Sequence, residues 1–149
     1  MIGQVLSNTK GLDDESLFES ALDFMQSGEM VYAVYLLKRI QKKDDFISYN
    51  LAISLYNLGF WKEAYDELRF IRERTISNFD FNFLPSSLLE KTRLGFPPIG
   101  RMCEDSIFTI SLIRLKLALC KKLGLDAEFK RLSAYLPEGK PWNSGFLGG

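Results

Sequence analysis

Leu51-Ala52-Ile53-Ser54-Leu55-Tyr56-Asn57-Leu58-Gly59-Phe60-Trp61-Lys62-Glu63-Ala64 is the stretch that decides how this chain is read. Apolar residues at helical spacing run into a glycine, and a second helical run with a small residue in its first turns follows. The pattern also stands about 31 residues earlier, the kind of internal repeat that signals stacked supersecondary units. Asp13-Asp14, Ala21, Gly28, Ala33, Leu37 and Ile40 recur as Asp44-Asp45, Ala52, Gly59, Ala64, Leu68 and Ile71. Phe18 with Tyr49, Leu22 with Ile53, and Phe24 with Leu55 also correspond. A unit of this length buries its apolar face only against the next copy, so the fold read here is all-α.

Working outward, each copy opens on an aspartate pair suited to capping a helix and complementing its dipole. The glycine after the first helix permits the left-handed turn that ends it. Ala33 and Ala64 let paired helices cross closely, and the short Lys42-Lys43-Asp44 link makes consecutive helices antiparallel neighbours. The spacing predicts helices over about 15–27, 29–42, 44–58 and 60–75.

From residue 76 to 104 the pattern breaks into an insertion. Asn78-Phe79-Asp80-Phe81-Asn82-Phe83 alternates aromatic and polar, a strand signal with no partner strand, so an extended or looped segment is expected. Phe79, Phe81 and Phe83 share one side of such a segment and are expected to dock, either in a groove of the helices or on the helix at 105–123. Gly95, Pro97, Pro98 and Gly100 enforce irregular backbone beyond it. A long helix over 105–123, apolar almost all round, ends at Gly124, and a last helix runs to about 135. The organisation expected is one domain: repeat one at 14–43, repeat two at 44–75, the insertion, a degenerate third repeat at 105–135 and a tail at 136–149.

Composition excludes several chemistries. The 19 basic and 19 acidic residues of this 149-residue chain cancel, so no global field favours nucleic acid or an anionic membrane. Charge is polarised, with residues 1–37 at about −5 and the remainder balancing it. There is no histidine and only Cys103 and Cys120, too few ligands for a structural zinc and no imidazole for a triad or general base. No cofactor or metal is expected. Glu63 with Glu67 and Asp126 with Glu128 read as surface pairs on helices rather than catalytic carboxylates, so no enzyme is expected. No signal peptide is visible and no run approaches the about 18 apolar residues of a membrane span, so a reduced, cytoplasmic setting is expected.

The small-residue, glycine and bulky apolar spacing resembles the tetratricopeptide repeat family. Gly59-Phe60-Trp61-Lys62-Glu63-Ala64 is the most specific stretch. The unit of about 31 residues is shorter than the family's usual about 34, and the closing proline is missing. The resemblance covers 14–75 and, weakly, 105–135. It implies a short right-handed superhelix whose first helices line a concave groove for a peptide or helix. By that analogy Phe18, Leu22, Met25, Phe46, Tyr49, Asn50, Ile53, Tyr56 and Asn57 form the partner-binding face. For Leu22 and Ile53 a place in the core is the competing reading, and the hydroxyls of Tyr49 and Tyr56 want polar partners. Of the family's carboxylate-clamping pattern only Asn50 matches, so a receptor for a chaperone's C-terminal carboxylate is not expected.

The resemblance makes the chain a non-catalytic protein-binding module: an adaptor, an assembly subunit or a small chaperone. Secretion-system chaperones of similar size form one subtype, though they are usually more acidic. RNA binding on a basic ridge of Lys38, Arg39, Lys42, Lys43, Arg69, Arg72 and Arg74 is the alternative, with nucleic acid ranked below protein as the partner. Two and a half repeats are few for a free-standing solenoid, so a homodimer or obligate complex is an expected arrangement.

Overall fold

The computed structural model describes residues 11–75 and 96–136. Within them the fold is all-α, with six helices: α1 (Asp14–Gln26), α2 (Met30–Arg39), α3 (Asp45–Asn57), α4 (Trp61–Leu68), α5 (Asp105–Leu123) and α6 (Asp126–Ser133). The described chain forms two compact units, residues 11–67 with Pro98–Gly100, and residues 68–75, 96–97 and 101–136.

In the first unit the repeated residues make repeated structure. Asp13 and Asp44 cap α1 and α3, their carboxylates accepting from the backbone N–H of Ser16 at 2.8 Å and Ile47 at 3.0 Å. Each cap satisfies one of the donors a helix start leaves orphaned. Both first helices end in the same turn. Gly28 and Gly59 take φ of 82° and 88°, and the residue after each donates back to Phe24 and Leu55 at 2.8 and 2.9 Å. That six-to-one bond marks the Schellman ending, which needs a left-handed residue.

Ala21, Ala33, Ala52 and Ala64 are all fully buried, as close helix crossings require. α1 packs on α2 and α2 on α3, and Phe18, Leu36, Leu37, Ile47, Leu51, Ile53 and Leu55 fill the core. The carboxylate of Asp14 accepts from the N–H groups of Gln41 and Lys42 at 3.4 and 3.3 Å, tying the link between α2 and α3 to the start of α1.

In the second unit α5 follows its expected bounds, and Gly124 ends it at φ 71° with Leu125 donating to Cys120 at 2.9 Å. The glycine turn of the repeat therefore occurs a third time, between α5 and α6, which pack together. Every residue from Phe108 to Cys120 is buried, including Lys116 and Arg114. Lys116 is satisfied there: its ammonium donates to the Ile71 carbonyl at 2.7 Å and pairs with Glu73 at 2.6 Å, and Glu73 also meets Arg131 at 3.3 Å. Burial pushes the Glu73 carboxyl up, but the hydrogen bond from Lys116 and the charges of Lys116 and Arg131 outweigh it and hold the group below its ordinary value.

Two helices are shorter than the sequence pattern predicts. α2 stops at Arg39, where Ile40 turns extended at φ −68° and ψ 128°. α4 stops at Leu68 rather than near Thr75. Beyond it, the Ile71 carbonyl and the Glu73 side chain are taken by Lys116, contacts across 45 and 43 residues that favour a non-helical backbone over local propensity. The expected docking of Phe79, Phe81 and Phe83, and the tail beyond Leu136, lie outside the described residues.

Candidate functional site

The first unit contains a segment far from it in sequence. Pro98–Gly100 belongs to that unit, and its centre is held by one side chain. Asn50, on α3, is fully buried. Its amide nitrogen donates to the Phe46 carbonyl one turn back and to the Ile99 carbonyl, both at 2.8 Å. Its amide oxygen accepts the Ile99 N–H at 3.0 Å. Both amide hydrogens and the oxygen are therefore used, and the Ile99 main chain is read at both polar groups.

The N–H and C=O of one residue point to the same side when the backbone is extended, so Asn50 imitates the neighbouring strand of a ladder. Ile99 as a whole is only 6% exposed. On the α1 side Gly100 lies near Leu22, whose Cδ1 is 3.9 Å from where a Cβ on Gly100 would stand. Leu22 of α1 and Asn50 of α3 thus border one seat, on helices the resemblance assigns to a groove.

The other expected groove residues divide by burial. Phe18, Met25, Tyr49 and Ile53 are buried at 3% exposure or less. Leu22, Phe46 and Tyr56 are half-buried, and Asn57 is exposed. Burial pushes the Tyr56 phenol above its ordinary value, so it stays a neutral hydroxyl. Asn57 reaches the thioether of Met30 at 4.0 Å. A carboxamide reading a peptide group supplies binding and orientation rather than proton transfer, since it does not titrate.

Ile99 was not legible as part of this site from spacing. The available signal is the pair Pro97-Pro98 before it, which restricts the backbone to extended forms. Of the paired carboxylates, Glu63 and Glu128 have structural partners. Glu63 pairs with Lys38 at 2.7 Å, and Glu128 pairs with Arg131, which holds its carboxyl below the ordinary value. Among the described residues no cluster of His, Cys, Asp and Glu has a metal-binding arrangement, and no helix is long and apolar enough to cross a membrane.

Fold and site together define an all-α protein with recurring helix–glycine–helix turns and a main-chain-reading asparagine on a first helix. No family model, curated protein or solved structure matches the chain.

Proposed function

We propose that this chain is a non-catalytic protein-interaction module of tetratricopeptide-like repeats, acting in the cytoplasm as an adaptor, assembly subunit or small chaperone. It receives a peptide or helix on the face shared by α1 and α3. The observation that carries this reading is the Asn50 amide bonded to both main-chain groups of Ile99. A face that holds one length of extended chain through its backbone has the chemistry to hold another. Leu22, Phe46 and Tyr56 supply half-buried apolar surface at that face, and Asn57 adds an exposed amide.

Two observations weigh against the RNA alternative. Lys38 and Arg74, two of the basic residues it would use, are paired with Glu63 and Asp105. The even charge balance likewise gives no basic field.

Affinity purification from the native cell tests the reading. Tyr56→Ala combined with Asn57→Ala should strip the specific partner from the preparation, while Val31→Ser with Tyr35→Ser, on the exposed side of α2, should leave it. A partner retained equally by both variants would remove the α1/α3 face from the account.

A further inference from the structure

Resting on the proposed interaction function, we infer that the seat over Asn50 is a peptide-binding site selective for an extended segment in which an aliphatic residue follows proline. The chain's own Pro98–Gly100 occupies that seat as an internal competitor. Three observations converge on it. Asn50 is fully buried, yet two of its three hydrogen bonds go to the backbone of a single residue 49 positions away. These bonds are indifferent to side-chain identity, so they define a backbone reader. The residue being read is itself almost wholly buried, which supplies selection for an aliphatic group of isoleucine's size.

The flanks complete the ligand class. Proline before the aliphatic residue restricts φ and lowers the entropy lost on binding. The next residue, Gly100, lies near Leu22 on α1 at a distance that would seat a Cβ in ordinary contact and without a left-handed backbone, so that position accepts a small residue of any kind. The ligand is therefore an extended strand whose central aliphatic residue presents its N–H and C=O to Asn50. It enters when Pro98–Gly100 leaves, because both amide hydrogens of Asn50 and the oxygen lone pair facing Ile99 are taken while Ile99 is bound.

A tethered competitor weakens an external ligand by the fraction of time the seat is vacant. With an effective concentration in the millimolar range, a segment of ordinary weak affinity closes the seat about 90% of the time, a roughly tenfold penalty.

The probe is a labelled peptide, Phe-Pro-Pro-Ile-Gly-Arg-Met, copied from residues 96–102 and titrated against the full chain by fluorescence anisotropy. It should bind the variant Pro98→Ser/Ile99→Ser about tenfold tighter than the unaltered chain. A peptide N-methylated at its isoleucine lacks the hydrogen that Asn50 Oδ1 accepts, and should bind that variant at least about tenfold more weakly. Equal binding of the peptide to both proteins, or of both peptides to the variant, overturns the inference.

Should the variant fail to fold, hydrogen exchange on the unaltered chain decides. Excess peptide should speed exchange of the Ile99 amide, whereas the same peptide with serine for isoleucine should not. Unchanged exchange overturns the inference. If these peptide readouts fail while Tyr56→Ala/Asn57→Ala still strips the native partner, the self-occupied seat is wrong and the interaction function stands. If the peptide displaces Ile99 but the partner ignores those substitutions, the seat is right and the proposed route of partner binding is wrong.

Discussion

Asn50→Ala is the most informative single change, because one side chain holds three hydrogen bonds, two of them buried. Its bonds run to Phe46 and Ile99 carbonyls at 2.8 Å each and from the Ile99 N–H at 3.0 Å. The Phe46 carbonyl lies inside α3 and keeps its helical partner, so its loss is small. The Ile99 groups lose their partner in a buried setting. Two neutral bonds at about 1 kcal/mol each, plus the cost of leaving an N–H and a C=O unsatisfied, place the loss at about 2–5 kcal/mol, with water entry giving the low end.

Native-state hydrogen exchange reads this locally, without requiring the two units to unfold together. A seat closed about 90% of the time protects the Ile99 amide about tenfold, and a loss of this size exceeds that margin, so Asn50→Ala should remove nearly all of the protection. Ser54→Ala is the matched control. Ser54 is equally buried on the same helix, but its hydroxyl only donates back to the Asn50 carbonyl at 3.1 Å, a local bond of little net worth. It should leave Ile99 protection within about twofold, a few tenths of a kcal/mol. Asn50→Ala leaving Ile99 protection unchanged, or lowering it no more than Ser54→Ala does, would refute the reasoning.

Gly59→Ala should destabilise by about 1–2 kcal/mol in urea titration. No atom lies within 4 Å of the added Cβ, so the cost is that of the left-handed backbone at φ 88° alone; an unchanged midpoint would contradict that. Stability should also fall in acid through Glu73. Its folded carboxyl titrates below the ordinary 4.5, so the unfolded chain binds more protons near that pH. The Glu73 contribution is present above 4.5 and is lost as pH falls through the folded value. Glu73→Gln should flatten this slope, and an identical pH profile for the variant would refute the assignment. The two cysteines should differ in reaction with a thiol reagent. Cys103 is partly exposed and should react directly, whereas burial pushes Cys120 up to about 11 and it should react only on opening, so equal rates would contradict the packing of α5.

Local chemistry made much of this fold legible. The aspartate caps, the glycine turns at 28, 59 and 124, and the bounds of α5 each depend on residues a few positions apart, where sequence determines geometry directly. The end of α4 was not legible, because Lys116 claims Ile71 and Glu73 from more than forty residues away. The same limit applies to the site. Helical spacing places Leu22, Asn50 and Ile53 on particular faces, but it does not reveal what covers those faces. Ile99 reaches Asn50 through contacts formed only in the folded chain, so nothing in its own neighbourhood beyond the two prolines announces it. Phe18, Met25 and Tyr49 have the pattern of groove residues and of core residues alike, and here they are buried.

The central claim is that partners bind on the α1/α3 face by replacing Pro98–Gly100. Site-specific photo-crosslinking in the native cell addresses it most directly, with the photoreactive residue at position 22 and, for comparison, at the exposed position 31 of α2. Position 22 should give a discrete adduct that the Phe-Pro-Pro-Ile-Gly-Arg-Met peptide suppresses and its serine counterpart does not, while position 31 gives none. An adduct at 31 alone, or one at 22 indifferent to the peptide, would contradict the claim.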